Sequence, residues 1–367
     1  FLLFGYFGPW MPELIVHKGY SVERIATTLS LTTEGIFGLP LGVASTFVFI
    51  FILFGAFLDK TGAGSFFINL SYSITGRFSG GPAKTSVVAS GFMGSVSGSA
   101  VGNVVATGSL TIPLMKKVGY RPHVAGAIVA AASTGGQLMP PIRGAGAFLM
   151  AEFTQTPYLD IIKIAFIPAV LYFFSVILFV HFEAQKQGIW GLPKDQLPNI
   201  LQTLKDGIHF IIPVAILIIV LVMNYSPMMA GFIAILAVYF TALLRKGSRI
   251  SFGTLIKTLE QGARNAIVVA VACAAAGIIV GIVNLTGTGL RFSSLVVSLS
   301  QGIPLLALLL VALTSLFLGM GLPVTASYIV LIILAGPGLM DLGIPLLTAH
   351  MVVFWYSQDA NVTPPVA

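Results

Sequence analysis

The sequence predicts an all-α polytopic membrane protein built on an inverted repeat, with two re-entrant hairpins and two broken helices. Three observations predict it. Only 8% of the 367 residues are charged, against roughly 25% in soluble globular chains. The apolar fraction is 56%, more than a soluble surface can cover with polar groups but acceptable to lipid tails. The chain also falls into apolar runs of about 20 residues, the length that crosses a bilayer, and some of these runs are interrupted by glycine and proline.

Taken in order, residues 1–12 read as the end of one span. Residues 13–36, with Glu13, His17, Lys18, Glu23, Arg24 and Glu34, read as an interfacial connector. Spans are predicted at 37–58, 122–150, 157–182, 207–223, 227–244, 262–286 and 345–365. A polar linker (Glu183, Lys186, Lys194, Asp195, Lys205, Asp206) occupies 183–206. Residues 81–116 are flanked by basic residues at both ends, so both ends belong on one side. Their middle, GSVSGSAVGNVVATGS (94–109), is too polar and glycine-rich to face lipid. Residues 302–341 are apolar but interrupted by Gly319-Met320-Gly321-Leu322-Pro323. Broken backbone at membrane depth is tolerated only inside protein or beside water, so both segments are predicted to be re-entrant hairpins. The expected domains are 1–36, a first repeat over 37–150, scaffold helices and linker over 151–251, and a second, truncated repeat over 252–367.

Charge sets the orientation. The net +7 comes from 19 basic and 12 acidic residues. A nucleic-acid binder would gather the basic excess on one polar face; here it sits in loop clusters at Arg77/Lys84, Lys116/Lys117/Arg121, Lys186/Lys194/Lys205 and Arg245/Lys246/Arg249. The positive-inside rule places these loops in the cytoplasm. The single cysteine, Cys273, excludes an internal disulfide and reads as a small core residue. The chain starts in an apolar run without an initiator methionine or signal peptide, so it is expected to be an internal segment of a longer protein.

A shift of 224 residues aligns the two halves: Pro113 falls on Pro337, Gly119 on Gly343, Ser133 on Ser357, and Pro140-Pro141 on Pro364-Pro365. Thr61-Gly62-Ala63-Gly64 matches Thr286-Gly287-Thr288-Gly289 with a one-residue slip. Five predicted spans separate the hairpins, and an odd number turns the second unit upside down. Inverted repeats with paired broken segments point to a secondary transporter with a midplane site.

The candidate chemistry lies at the breaks. Around the first tip, Ser95, Ser97, Ser99 and Asn103 crowd between glycines spaced by four (Gly94, Gly98, Gly102). Close helix packing is one reading of those glycines. The other is a cation site, in which small residues let carbonyls turn inward and hydroxyl and amide oxygens complete the shell. The second tip offers Gly321, Thr325 and Ser327 on the same logic. The helix after each hairpin is broken as well, at Ser133-Thr134-Gly135-Gly136-Gln137-Leu138-Met139-Pro140-Pro141 and at Ser357-Gln358-Asp359-Ala360-Asn361-Val362-Thr363-Pro364-Pro365. Asp359 is the chief acidic residue expected deep in the membrane, at a cost of roughly 2.5–3.5 kcal/mol on insertion scales unless it is paired or solvated. A cation ligand, a proton carrier, a salt bridge or a capped helix end would each account for it. Arg143 and Arg264 are the other expensive groups; Arg143 reads as a contact for a substrate carboxylate, a partner for Asp359 or a snorkelling end position.

The stretches GGPAKTSVVASGFMGSVSGSAVGNVVATGSLTIPLMKKVGYRPHVAGA (80–127), ASTGGQLMPP (132–141), GAFLMAEF (146–153), GMGLPVTASYIV (319–330) and AHMVVFWYSQDANVTPP (349–365) resemble the large membrane subunit of tripartite ATP-independent periplasmic (TRAP) transporters. The resemblance covers nearly the whole chain, and in particular it is to the fused permease type that works with TAXI-class binding proteins. It implies an elevator-type, Na⁺-coupled importer of small organic acids in the cytoplasmic (inner) membrane of a bacterium or archaeon. No cofactor is implied beyond Na⁺ as coupling ion. The implied partners are a periplasmic TAXI-type binding protein, a fused or separate small membrane subunit, the organic anion and the lipid bilayer, with no nucleic acid. The start of the chain resembles the last helix of the fused small-subunit region. Implied cation sites combine Ser97, Ser99 and Asn103 with Gly135, and Thr325 and Ser327 with Asp359. Implied substrate contacts, between the two tips, are Ser95, Gln137, Arg143, Gly321, Asn361 and Thr363. The chain departs from the family pattern at Val129, near which an acidic residue is usual, and at Arg143, where an apolar one is.

Other functions fit less well. Intramembrane aspartyl proteolysis needs two facing aspartates, and only Asp359 is well placed. Neither His123 nor His350 pairs by sequence with the serine cluster, as a serine hydrolase would require. Gly81-Pro82-Ala83-Lys84-Thr85 lacks the glycine spacing of a phosphate loop. A passive channel and a non-transporting assembly subunit are the remaining alternatives to a transporter.

Overall fold

The computed structural model describes residues 1–367 except 14, 142, 143, 194, 196, 246, 247, 321 and 364–367, together with the side chain of residue 360. All regular structure among the described residues is helical. After a five-residue α1 (Leu2–Tyr6), α2 (Val22–Leu31) begins where the Ser21 hydroxyl accepts the Arg24 N–H. Pro40 opens α3 (Leu39–Val43), which passes through a π-helical turn, Ala44–Val48, into α4 (Phe49–Thr61). Left-handed Gly62 (φ +97°) ends that segment and starts α5 (Ala63–Thr75). Then follow α6 (Gly81–Ser97), α7 (Ala100–Lys117), α8 (Pro122–Gly136), α9 (Ala145–Thr154), α10 (Tyr158–Lys186), α11 (Ile200–Val222) and α12 (Pro227–Leu243). The remainder is α13 (Phe252–Thr286), α14 (Thr288–Leu299), α15 (Pro304–Gly319), α16 (Val324–Asp341) and α17 (Leu346–Ser357), closed by a 3₁₀ turn, Gln358–Asn361.

Among the described residues, five helical segments are long and apolar enough to cross a membrane: Leu39–Thr61, α10, α11, α13 and α16. At α10, α11 and α13 the helix outruns the hydropathy reading for one reason. Backbone hydrogen bonding continues past the bilayer edge wherever side chains still favour helix. Thus α13 starts at Phe252 rather than 262, through an exposed Glu260–Arg264 pair (2.9 Å) and a Gln261–Asn265 bond (2.9 Å), both one turn apart. Likewise α10 and α11 shorten the predicted polar linker to residues 187–199.

The chain forms two compact units, 49–144 with 157–266, and 1–48 with 145–156 and 267–367. In the former, α6, α7 and α8 pack around Val87, Met115, Ile128, Val129 and Ala132. Glycine makes this packing close: a Cβ on Gly94 would lie 2.3 Å from the Gly136 Cα, so α6 and α8 meet backbone to backbone. A polar seam joins the arms of the first hairpin. Ser86 and Thr111 hydroxyls are 3.0 Å apart, Ser90 and Thr107 hydroxyls 3.2 Å, and Asn103 Nδ2 donates to the Ser90 carbonyl at 2.9 Å. All of these groups are buried. In the other unit, α14, α16 and α17 pack in sequence and α15 lies against α16 and α17. Val283, Val330 and Leu334 form a core cluster there, and Ser293 Oγ donates to the Leu334 carbonyl (2.8 Å).

Element order recurs. A long helix ends at a left-handed glycine (Gly62, Gly287), a short helix follows, then two helices joined by a break, then a turn on a second left-handed glycine (Gly119, Gly343), then a helix that ends early. At these four glycines a side chain would strain the backbone.

Candidate functional site

Each unit contains one break between hairpin arms and one early helix end, and the two lie together within their unit. In the first, α6 stops at Gly98 in the left-handed conformation (φ +62°). The Ser99 hydroxyl accepts the Gly102 N–H (3.1 Å) and starts α7. Gln137, one residue past α8, donates from Nε2 to the Gly98 carbonyl (3.1 Å), tying the tip to the broken helix. Asn103 is fully buried beside Gly136: its Nδ2 would lie 2.9 Å from a Cβ there. Because that nitrogen is engaged by Ser90, Oδ1 points away and has no partner. Ser133 Oγ, one turn earlier on α8, is also buried and unpartnered.

The second break has the same character. The chain leaves α15 at Gly319, whose carbonyl accepts the Leu322 N–H (3.1 Å), and Pro323 starts α16. Thr325 and Ser327 are buried on the first turn of α16, and Ser327 Oγ has no partner. The turn Gln358–Asn361 packs against both α15 and α16. There Gln358 Nε2 donates to the Phe354 carbonyl (3.3 Å) and Oε1 is left unpartnered. The Asp359 carbonyl accepts the Val362 and Thr363 N–H groups and the Thr363 hydroxyl, which closes the turn. Among the described residues, no basic side chain lies within ion-pair distance of its carboxylate.

The anticipated residues therefore separate. Gln137 and Asn103 converge with the glycines Gly94, Gly98 and Gly136, and neighbouring Gly135 packs so tightly that a Cβ would collide with Tyr172. Ser327 sits on the arm that the Asp359 turn packs against, and Asn361 lies in that turn. The Ser95 hydroxyl donates to the Phe92 carbonyl of its own helix (2.8 Å). Ser99 is exposed and acts as a helix cap, and the Ser97 hydroxyl approaches the Ser99 N–H only at 3.5 Å. Arg143 and Gly321, like Pro364-Pro365, lie outside the described residues. The sequence reading passed over Ser133 and Gln358 as ligand donors. The signal available was their place one turn before Gln137 and next to Asp359.

Among the described residues, six buried side-chain polar atoms lack a hydrogen-bond partner, and four of them are these: Asn103 Oδ1, Ser133 Oγ, Ser327 Oγ and Gln358 Oε1. Each costs about 1–3 kcal/mol when left unsatisfied. The atoms on offer are neutral oxygens of amides and hydroxyls, joined in the second unit by one carboxylate. No group of three His, Cys, Asp or Glu residues occurs among the described residues. Oxygen-only sets of low charge suit hard cations rather than thiophilic metals.

The chain matches the family model of the tripartite ATP-independent periplasmic transporter, DctM component, over residues 2–367. It is 30% identical over 153 residues to the isethionate TRAP transporter permease protein DctMQ of Oleidesulfovibrio alaskensis, covering 38% of this chain and 23% of that protein. It is 35% identical over 128 residues to the C4-dicarboxylate TRAP transporter large permease protein DctM of Vibrio cholerae, covering 35% and 27%. It is 23% identical over 320 residues to the 2,3-diketo-L-gulonate TRAP transporter large permease protein YiaN of Escherichia coli, covering 86% and 74%. The matched segment thus spans about a quarter of the first two relatives and about three quarters of the third.

Proposed function

Because the chain belongs to the DctM component family of tripartite ATP-independent periplasmic transporters, we propose that it is the membrane permease of a secondary active, Na⁺-coupled importer of small organic acids. In this reading a periplasmic binding protein of the TAXI class delivers the substrate, a fused or separate small membrane subunit completes the permease, and the protein resides in a bacterial inner membrane. The relatives are named for isethionate, C4-dicarboxylate and 2,3-diketo-L-gulonate, all organic anions, which supports the substrate class.

The observation that carries the ion coupling is the concentration of unpartnered buried oxygens at the two breaks. Desolvated oxygens in low dielectric are costly until a cation fills the space between them. Asn103 with Ser133, the Gly98 and Gly135 backbone and the Ser97–Ser99 turn make one proposed Na⁺ site. Ser327 with Thr325, Gln358 and Asp359 make the other. A bound cation would offset charge when an organic anion enters, so substrate binding and ion binding favour each other. Substrate contacts are proposed for Gln137, Arg143, Gly321, Asn361 and Thr363. The elevator movement and the inverted arrangement of the repeats belong to the same proposal.

Two measurements on the full-length protein test it. Reconstituted with its binding protein in liposomes, it should concentrate an organic acid under an inward Na⁺ gradient. Equilibration without concentration would mean a passive channel. In a thermal shift assay, Na⁺ at 100 times its Kd should add about 2.7 kcal/mol of stability, and Asp359→Ala should lose part of that gain. Absence of any Na⁺-dependent shift would remove both cation sites.

A further inference from the structure

Away from the breaks, the turn at residues 76–80 and the start of α6 carry a basic and aromatic cluster outside the proposed ion and substrate sites. The Lys84 side chain is 9% exposed, yet among the described residues no carboxylate lies within ion-pair distance of it. Its ammonium donates to His181 Nδ1 at 3.1 Å, near the end of α10. An ammonium has no lone pair, so His181 Nδ1 accepts and the ring proton resides on Nε2. Lys84 therefore keeps two further N–H groups and His181 adds one. The Arg77 guanidinium and the Lys84 ammonium both lie over the Phe78 ring, at 4.9 and 5.8 Å from its centroid, which gathers the cations in one patch. Arg77, too, has no carboxylate within ion-pair distance among the described residues.

The surroundings are built to hold this patch in place. The Ser79 hydroxyl and the Gly80 N–H both donate to the Ile189 carbonyl, and the Leu192 N–H donates to the Gly76 carbonyl. Tyr120, buried to 3%, brings its hydroxyl to 2.7 Å from where a Cβ on Gly80 would lie, and that hydroxyl has no partner. On α10, Glu183 accepts the Gln187 amide N–H at Oε1.

Two features set the chemistry of the occupant. Trp190 is 81% exposed beside this turn, and Phe78 and Phe182 are also exposed, as at a membrane–water interface. From the patch, α10 presents a stripe of exposed apolar residues at helical spacing: Phe182, Leu178, Phe174, Leu171 and Ile167. Fifteen residues of helix extend about 22 Å, enough to lie beside an acyl chain.

We propose that Arg77, Lys84 and His181 form a headgroup site for one anionic phospholipid of the cytoplasmic leaflet, with its acyl chain along α10. The patch binds a lipid rather than a free anion because the apolar stripe continues directly from the cations. Basic pockets between membrane helices on the cytoplasmic side bind such headgroups, and a Lys or Arg near the anionic leaflet surface contributes about 1 kcal/mol.

Native mass spectrometry of the full-length protein, titrated with phosphatidylglycerol or phosphatidylcholine of matched chains, tests this. The protein should retain one phosphatidylglycerol at several-fold lower concentration than phosphatidylcholine. Arg77→Gln and Lys84→Gln should each reduce that preference about five-fold. Lys257→Gln, an equal loss of charge elsewhere, should leave it unchanged. Should Lys84→Gln misfold, the exposed Arg77→Gln still decides. Equal retention of both lipids, an unchanged preference in Arg77→Gln, an equal loss in Lys257→Gln, or displacement by millimolar inorganic phosphate would each overturn the assignment.

Discussion

Ser133 and Ser95 are both buried serines beside the first break, and they differ in one bond. Ser95 returns its hydroxyl to its own helix, at the Phe92 carbonyl, whereas Ser133 Oγ has no partner. A buried hydroxyl bonded to nothing is a net cost, and deleting it should be neutral or stabilising. If Ser133 Oγ instead ligates a cation, its deletion removes part of the ion's contribution. Ser133→Ala is therefore expected to unfold at the same or a higher temperature than wild type without Na⁺, and to gain less than wild type when Na⁺ is added. An unchanged Na⁺ response in differential scanning fluorimetry would exclude Ser133 from the site. Asn103 is less clean as a probe, because its Nδ2 also holds the Ser90 carbonyl: Asn103→Ala would lose that bond along with any ligand.

The hairpin is the next scale. In α6 and α7 the seam of Ser86 with Thr111 and Ser90 with Thr107 replaces the apolar contact that soluble helices would use. In lipid there is little hydrophobic drive between helices, so small residues and interhelical hydrogen bonds hold the arms together. Those bonds are individually modest. A double-mutant cycle on Ser86→Ala and Thr111→Val is expected to give a coupling of about 0.6 kcal/mol, the average found for such pairs in membranes, measured by unfolding in detergent. A coupling near zero would assign arm pairing to the glycine contacts alone. In the second hairpin, among the described residues, the α15 hydroxyls of Thr314 and Ser315 bond to carbonyls of their own helix rather than to α16. Its α16 is instead anchored by Tyr328, whose hydroxyl meets His350 Nδ1 on α17 at 2.7 Å.

For the molecule as a whole, the distribution of basic loops predicts sidedness. Cys273 is buried, so Cys273→Ala provides a quiet background for labelling. In that background Ser226→Cys should react with an impermeant maleimide added outside intact cells, and Arg249→Cys only after the membrane is opened. Reaction of both from outside would invalidate the threading and, with it, the cytoplasmic placement of the lipid site.

Class, four of the seven predicted spans (37–58, 157–182, 207–223 and 262–286) and the position of each break were legible in the residues, because each is a local property; the fifth crossing-length segment, α16, lies in what reads as a hairpin arm. Hydropathy reports transfer to lipid residue by residue, and glycine and proline act on their own backbone: Gly98 takes a positive φ and Pro323 opens α16 wherever neighbouring helices lie. Hydropathy misplaced the start of α13 and the ends of the 183–206 linker for the converse reason, since a charged helix outside the bilayer leaves no apolar trace. The sequence by itself thus determined a membrane protein with two interrupted hairpins and the oxygen-rich segments from which a site could be drawn. Only the tertiary structure decided which oxygens remain free. Ser95 and Ser99 are engaged within three residues of themselves, at the Phe92 carbonyl and the Gly102 N–H, whereas Asn103 Oδ1, Ser133 Oγ, Ser327 Oγ and Gln358 Oε1 are buried by neighbouring helices that bring them no hydrogen-bond partner, and that depends on how the helices pack.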